Sequence, residues 1–352
     1  MFLRSIHYFR ALAIVFIVAG HSYGLGAWWI HTVADKTVAN VISGGTSLFV
    51  FVSGFLFHHV FFPKFSFGSF MMKKIHYVLL PYLVLSSVFL ISILATRTGF
   101  NADQFLLAGE GIYALYLRPL ALYLWTGGVN FTYWYIPFIM VMFLLSPAFV
   151  AFIRARSAVR WAAFAAFLCV SLVLHRPVLN LSVIQSVVYF IPVYLAGILA
   201  SIHKERIYAV FHRRDGYLLA VVLGLAVLQA VFIAKEGSLH KAPLEFAGLD
   251  VSLVQKLVLC LFLMAFLHRF EDMPSRALDT LAEGSFAIFF IHPFIVLGIS
   301  KTSLPRMFAD NLPDLSLLRL AVMTIVVVAA SLCVALFVKA ILRRYSRIVI
   351  GW

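Results

Sequence analysis

Charged side chains are scarce in this sequence, and acidic ones are the scarcest. Of its 352 residues only 12% are charged, with 14 Asp and Glu against 28 Lys and Arg, whereas 63% are hydrophobic. Because a soluble globular domain carries about 25% charged residues, this composition excludes an ordinary soluble protein. Carboxylates are almost missing from the apolar stretches, which argues against a cation or proton relay built on acidic side chains.

Cysteine is rare as well. Cys169, Cys260 and Cys333 each stand alone in an apolar stretch, so neither a disulfide framework nor a thiolate metal site is indicated. No apolar stretch holds a close set of His, Asp and Glu at metal-ligand spacing. Glycine-rich phosphate loops and the G-x-S-x-G nucleophile elbow are missing too. We therefore expect no bound metal and no permanently bound cofactor.

Long apolar runs dominate what is present. A helix needs about 20 apolar residues to cross the hydrocarbon core of a bilayer. The first run is interrupted by Arg10 and lacks a small-residue cleavage site, so we expect it to be retained rather than cleaved as a signal peptide. The sequence predicts an all-α, polytopic membrane protein with one domain over residues 1–352. We expect a bundle of about ten transmembrane helices, at 6–26, 41–62, 76–96, 131–152, 157–175, 184–203, 216–234, 252–270, 281–300 and 316–338.

Lys and Arg are distributed unevenly between the connecting loops. Most of them fall on the side of the membrane that holds the N-terminus, including Lys73 and Lys74 before the third helix. By the positive-inside rule, both termini are expected in the cytoplasm. This topology accounts for the formal net charge of +14 without a nucleic-acid partner, and the bilayer is the expected surroundings.

The longest connection, 97–130, contains a semi-apolar stretch at 105–125 that Arg118 and Pro119 interrupt. The stretch is too short and too broken to count as a span. We expect a re-entrant or interfacial segment, because non-helical backbone at membrane depth is tolerated where protein or a watery cavity covers it.

An arginine and a histidine stand in the first apolar run, RALAIVFIVAGH, with no charge between them. An eleven-residue step on a helix returns to nearly the same face and climbs about 16 Å, so Arg10 and His21 point the same way. Ionisable residues inside a membrane are functional-site candidates by default. The alternative is that Arg10 snorkels to the interface and that His21 bonds to a neighbouring helix.

Two further motifs lie within the second predicted helix and just before the third. In GGTSLFVFVSGFLF, Ser53 and Gly54 are small residues that permit close helix packing. Lys73 and Lys74 follow on the same side as Arg10. Such a cluster suits the phosphates of a nucleotide-like donor, and attraction to anionic lipid headgroups explains it equally well.

Two aromatic motifs lie toward the opposite side. WTGGVNFTYWYIPF brings Asn130 close to Trp134 and Tyr135 at a helix start, as either an interfacial aromatic belt or a platform for stacking a sugar. GSFAIFFIHPF places His292 at a depth comparable with that of His21. The alternative for His292 is a polar residue associated with a kink at Pro293.

Taken together, these motifs resemble the acyltransferase 3 family of integral membrane sugar O-acyltransferases. The similarity rests on FRALAIVFIVAGHS, LFVFVSGFLF, the basic stretch before LLPY, the G-x-x-N and YWY segment, and FFIHP, which occur in family order over most of the chain. The resemblance implies transfer of an acyl group, usually acetyl, from cytosolic acyl-coenzyme A to a hydroxyl of a carbohydrate across the bacterial inner membrane. Arg10 and His21 correspond to the essential pair of the family, and Lys73 and Lys74 to its basic donor region.

One departure concerns the third helix, where the family often has Arg or Lys just before the proline. This chain has His76, Tyr77 and Val78 there. The donor contacts of this chain are therefore expected to differ from those of its relatives.

The resulting hypothesis is that Arg10, with Lys73 or Lys74, binds the phosphates of acetyl-CoA or another acyl-CoA as co-substrate. The thioester then reaches His21, which acts as general base or as nucleophile through an acyl-imidazole. The acceptor is a lipid-linked or polymeric carbohydrate, such as exopolysaccharide, lipopolysaccharide or another glycan, and it is placed by Asn130, Trp134, Tyr135 and His292. The alternative function is a carrier that exports polysaccharide or lipid-linked sugar.

Overall fold

The computed structural model describes residues 2–106, 109–233, 237–312 and 315–352. Apart from one bridge between Arg176 and His240, the described residues form helices and their connections. The helices are α1 (Arg4–His21), α2 (Val33–Ile42), α3 (Thr46–Leu56), α4 (Phe67–Lys74), α5 (Leu80–Thr96), α6 (Ala102–Phe105), α7 (Arg118–Thr126), α8 (Tyr135–Leu144), α9 (Ser146–Arg154), α10 (Ser157–Leu174), α11 (Val183–Ile202), α12 (Lys204–Phe211), α13 (Asp215–Leu228), α14 (Val251–His268), α15 (Arg276–Ser300), α16 (Leu304–Asn311), α17 (Ser316–Leu342) and α18 (Ser346–Val349).

Short turns of other helix types join several of these α-helices. A π-helical turn often marks the place where a helix changes direction. The π turns are Phe57–Phe61, Ile75–Leu79, Tyr113–Leu117 and Gln229–Ile233, and the 3-10 turns are Phe62–Lys64, Val178–Asn180 and Arg343–Tyr345.

The described residues contain eight helices that are long and apolar enough to cross a membrane. A ninth is obtained if α8 and α9, which are bent by 53° with respect to each other, form one span. The predicted all-α, polytopic membrane protein is therefore confirmed. All ten predicted segments correspond to helices, although residue 234 of the segment 216–234 lies outside the described residues.

The count of eight or nine differs from the expected ten for identifiable reasons. The segment 131–152 is the bent pair, in which Pro147 at the start of α9 cannot continue the hydrogen-bond ladder of α8. The first segment is α1, whose Arg4, His7, Arg10 and His21 make it too polar to count as a span by composition.

α1 lies at the centre of the bundle, against α3, α14, α15 and α17. Its N-terminal backbone groups have no local side-chain cap. Instead, the carboxylate of Glu271, in the loop between α14 and α15, accepts hydrogen bonds from the backbone N–H of Arg4 at 2.5 Å and of Ser5 at 2.9 Å. A carboxylate there satisfies open donors and complements the helix dipole. The loop thereby fixes the start of the helix that carries Arg10 and His21.

α3 and α11 cross with their backbones almost in contact. A Cβ atom added at Gly54 would lie 2.0 Å from the carbonyl oxygen of Tyr194, and one at Gly197 would lie 2.0 Å from that of Phe51. Only glycine permits this approach, as in other membrane helix pairs with small residues. Ser53 stands next to this crossing in the sequence of α3.

The long connection between α5 and α8 includes the short helices α6 and α7, and its residues Leu107 and Ala108 lie outside the described residues. α7 packs against α5 and α8, and the Tyr82 hydroxyl donates to the Leu124 carbonyl at 2.8 Å. α7 ends at Gly127, whose positive φ of 70° suits glycine. The connection thus leads into the loop that holds Asn130 and Trp134.

Candidate active site

His21 and His292 meet across the contact between α1 and α15. His21 Nδ1 lies 3.1 Å from His292 Nε2, and the two rings stack with centroids 5.3 Å apart and planes within 13° of parallel. His292 is fully buried, whereas His21 is partly exposed to a cavity. Two residues 271 positions apart in the sequence therefore form one unit.

The hydrogen bonds of this pair define which nitrogen carries each proton. His292 Nδ1 lies 3.0 Å from the carbonyl oxygen of Ile288, and a carbonyl can only accept. In the neutral imidazole, His292 Nδ1–H is the donor and Nε2 is the acceptor, so His21 Nδ1–H donates to His292. His21 Nε2 then keeps its lone pair, which is the arrangement required of a general base or a nucleophile.

The cavity beside His21 is small and aromatic, and we call it the histidine chamber. It has a volume of about 240 Å³ and is lined by 18 residues that come from six parts of the chain, among them His21, Thr132, Trp134, Tyr135, Arg176 and His240. Phe131 packs edge-on against His21, with ring centroids 5.0 Å apart. Apolar walls of this kind lower the local dielectric constant beside the imidazole and strengthen electrostatic effects there.

Trp134 and Arg176 form one wall of the histidine chamber. The Arg176 guanidinium lies over the Trp134 ring, 4.9 Å from its centroid, a favourable cation–π geometry. Trp134 also stacks on Phe138 and Phe190. Burial lowers the pKa of Arg176, while Tyr189 and Asp250 oppose that change; an arginine nevertheless keeps its charge.

Asn130 shapes the loop that precedes Trp134. Its Oδ1 accepts from the backbone N–H groups of Thr132 at 2.8 Å and Tyr133 at 3.0 Å, a local turn typical of asparagine. Its Nδ2 is buried and has no partner among the described residues. Asn130 lines a second cavity of about 300 Å³, which shares Phe131 and Trp134 with the histidine chamber.

A second site surrounds Arg10 at the other end of α1, and we call it the basic chamber. Its volume is about 870 Å³, and Arg10 donates a 3.1 Å hydrogen bond to Ser285 Oγ at its edge. Five of its described lining residues are Lys or Arg, against one carboxylate, that of Glu283. The lining residues are Arg10, His76, Tyr77, Glu283, Lys339, Arg343, Arg344, Ser346, Arg347, Ile348, Gly351 and Trp352.

The cations of the basic chamber come from the end of α17 and from the chain that follows it. Arg343 has a positive φ of 48°, which turns the chain back, and α18 then packs against α5 and the π turn Ile75–Leu79. This places Arg347 over the Tyr77 ring at 5.8 Å and Lys339 over the Trp352 ring at 4.1 Å. The spacing of Lys339, Arg343 and Arg347 by four residues was the sequence signal that could have indicated a shared face.

Neither Lys73 nor Lys74 lines the basic chamber. The Nζ of Lys74 is surrounded by the rings of Phe61, Phe70 and Phe143, at 4.4 to 5.0 Å from their centroids. It is close enough to Arg10 for the two charges to repel each other. Lys73 is exposed on α4. His76 and Tyr77, which mark the departure from the family pattern, do line the chamber.

The two chambers occupy opposite ends of one helix and share no lining residue. Between them, α1 packs closely along α15, with Ile14 and Ile288 fully buried. The described part of the chain holds no group of three or more His, Cys, Asp or Glu side chains suited to a metal ion. The arrangement therefore offers a basic pocket, an oriented imidazole and a packed region that separates them.

Of the comparisons with known proteins, one gives a match, and this match covers nearly the whole chain. A family model described as an acyltransferase domain, of the acyltransferase 3 type, matches residues 3–344. Neither a curated protein nor a solved structure matches the chain. Since the family model covers nearly all of the sequence, the chain belongs to the acyltransferase 3 family and is a membrane-embedded acyltransferase.

Proposed function

We propose that this enzyme moves an acetyl group from acetyl-CoA, bound on the cytosolic face of a bacterial inner membrane, to a carbohydrate hydroxyl on the opposite face. The observation that carries the proposal is the pair of chambers at the two ends of α1, one strongly basic and one holding the oriented His21. With both termini in the cytoplasm, the basic chamber faces the cytosol. The donor then does not have to cross the membrane.

The basic chamber suits the nucleotide part of acyl-CoA. Guanidinium groups bind phosphates through two parallel hydrogen bonds, and Arg10, Arg343 and Arg347 are available for the phosphates. The rings of Tyr77 and Trp352 line the same chamber and would stack against the adenine. Lys73 and Lys74 add to the positive field rather than forming the chamber wall.

The histidine chamber suits the acceptor. Trp134 and Tyr135 provide apolar faces for a sugar ring together with polar edges, and Asn130 lines the adjoining cavity. His292 lies behind His21 and is absent from the lining of the histidine chamber. We therefore assign to His292 the positioning of His21 instead of direct contact with the acceptor.

In the proposed reaction, His21 Nε2 takes the proton of the acceptor hydroxyl while the oxygen attacks the thioester carbonyl. The C–S bond then breaks, and the imidazolium of His21 returns the proton to the departing CoA thiolate. His292 accepts the His21 Nδ1–H throughout and stabilises the imidazolium in the orientation needed. The same lone pair would serve an acyl-imidazole route, in which His21 is acylated first.

The donor has to pass between helices before it can react. The flexible arm of acyl-CoA extends from the phosphates at Arg10 toward His21, about 16 Å along α1. Because the chambers share no lining residue, this passage requires side chains between α1 and α15 to move. Donor binding in the basic chamber supplies the interaction that would favour the open arrangement.

The proposal is tested with the purified protein in sealed vesicles. Acetyl-CoA labelled in its acetyl group is added to the side that holds the basic chamber, and a library of glycans is enclosed on the other side. Free CoA on one side and labelled glycan on the other are the expected products. Movement of unmodified glycan without CoA release would identify a carrier, and transfer between substrates confined to one side would contradict the assigned faces.

A further inference from the structure

Arg176 is a buried cation in the wall of the histidine chamber. It is 8% exposed, and its Nη2 donates to Asn180 Oδ1 at 2.8 Å. Among the described residues, no carboxylate oxygen lies within 4.0 Å of its guanidinium. A buried charge without an ion pair is destabilising unless another partner compensates it.

Asp250, a carboxylate that attracts Arg176, already has other partners. Its Oδ2 accepts from the Tyr189 hydroxyl at 2.8 Å and its Oδ1 accepts from the Leu253 backbone N–H at 3.1 Å, at the start of α14. Asp250 still attracts Arg176 at a distance. It nevertheless leaves the guanidinium donors available to a ligand.

The guanidinium is held in place although its donors are not fully used. It contacts two aromatic rings, with its central carbon 4.9 Å from the ring centroid of Trp134 and 5.9 Å from that of Phe190. Its Nε is buried and has no hydrogen-bond partner among the described residues. A fixed, incompletely bonded guanidinium is well suited to a carboxylate or phosphate group.

We propose that Arg176 forms an anion subsite for the acceptor, so that the preferred carbohydrate carries a carboxylate or phosphate close to the hydroxyl that is acylated. The inference rests on the proposed function and names the acceptor class that it left open. Within the described residues, the chamber lining includes a cation but no carboxylate, so its field favours an anion. The phosphates of the donor are held in the other chamber and do not account for this cation.

Three sugars that differ only at C6 provide the test: methyl glucoside, methyl glucuronide and methyl glucoside 6-phosphate. Binding to the intact protein without donor is measured by quenching of tryptophan fluorescence, and acetyl transfer is measured separately with acetyl-CoA. Wild type is expected to prefer at least one charged sugar by about tenfold or more, as for a charged hydrogen-bonded contact. Which charged sugar is preferred distinguishes a carboxylate from a phosphate.

Arg176→Gln is expected to reduce the preference for the charged sugar by about tenfold or more, and Arg176→Lys should retain only part of it, because lysine keeps the charge but loses the planar fork. Arg306→Gln is the matched control, because Arg306 is an exposed cation on α16 that lines neither chamber. If wild type shows no preference for either charged sugar, the proposal is wrong, whether or not the variants fold. An equal loss of transfer to all three sugars in Arg176→Gln would also contradict it, since that result indicates a role in the transition state or in folding.

The two measurements separate the inference from the proposed function. Charge-selective binding that depends on Arg176, without acetyl transfer to any acceptor, would support the anion subsite and contradict the transfer function. Acetyl transfer at the same rate to neutral and charged acceptors would support the transfer function and contradict the anion subsite.

Discussion

The two cavities along α1, one around Arg10 and one around His21, differ in volume, charge and lining. Around Arg10 the chamber holds about 870 Å³ and several cations, whereas around His21 it holds about 240 Å³ and is walled by aromatic rings. A roomy basic pocket selects mainly by charge, whereas a narrow one lined by aromatic rings and a single Arg selects by shape as well. The comparison teaches that one helix presents a binding group at one end and a reacting group at the other, with packed side chains between them.

The largest effect is expected at the reacting end. His21→Ala removes the proposed base, and loss of a general base lowers rates by about 10²- to 10⁴-fold. Acetyl transfer by the purified protein, at saturating acetyl-CoA, measures the change. His212→Ala is the control, because His212 is exposed outside both chambers. Near-normal transfer by a folded His21→Ala enzyme would show that His21 is not the base and that the reaction does not depend on the histidine chamber.

The next effect tests the partner of His21. His292→Gln keeps a side chain that can accept a hydrogen bond, whereas His292→Phe fills the space without accepting one. We expect kcat to fall by about tenfold for His292→Gln and more for His292→Phe, since a charge-assisted bond is worth about 1.5–3 kcal/mol. The pH profile of kcat should also move, because His292 orients the titrating group. A change confined to the KM of the acceptor would instead show that His292 contacts the sugar.

At the binding end, the effect should appear in the donor. Arg10→Lys keeps the charge but loses the planar fork, so the KM for acetyl-CoA should rise by about tenfold with a smaller change in kcat. Arg347→Gln should act in the same direction and make donor binding less sensitive to salt. Lys36→Gln is the control, because Lys36 is a partly exposed cation near the start of α2 that lines neither chamber. An unchanged KM in both variants would place the phosphates elsewhere.

The smallest effect is expected at Glu271, which caps the start of α1 and so holds in place the helix that carries Arg10 and His21. Hydrogen bonds from Ser5 and Arg4 lower the pKa of Glu271 although burial opposes this. The lowered pKa means that the carboxylate stabilises the fold above its unfolded pKa, and that this stability is lost as the pH falls below about 4. Glu271→Gln should reduce the free energy of unfolding by about 1 kcal/mol near neutral pH.

Thermal unfolding in detergent at several pH values measures this contribution. The difference between wild type and Glu271→Gln should shrink as the solution becomes acidic. A difference that is independent of pH would mean that the charge of Glu271 does not contribute to the capping of α1.

Local patterns in the sequence were sufficient for the helices and for one face of α1. Apolar runs of span length predicted every long helix, and the helical period placed Arg10 and His21 on a common side. The glycine at position 54 in the second apolar run suggested close packing, and the structure places it against the Tyr194 backbone. These features depend on neighbours in sequence, so composition and spacing report them.

The partners of these residues depend on long-range packing, which a single sequence does not report. The depth of His292 in its helix predicts a role at the acceptor, and that role stays a prediction. Its contact with His21 joins residues 271 positions apart, so no local pattern reports it. The basic stretch predicts Lys74 as a phosphate ligand, but it does not predict the three phenylalanine rings that surround its Nζ. Arg176 and Arg347 each lie in a connection between or after the long helices, and nothing near them in the sequence shows which cavity they line.

The histidine pair has a consequence for the energetics of the proposed reaction. His21 is bonded to a second imidazole instead of to a carboxylate, and the hydrogen that it removes from the acceptor ends on the thiol of CoA. An acetyl group thus moves outward and a hydrogen moves inward, so the exchange carries no net charge across the bilayer. A membrane potential acts only on transported charge, at about 2.3 kcal/mol per unit charge per 100 mV. The thioester alone would therefore drive the modification, equally in energised and in depolarised membranes.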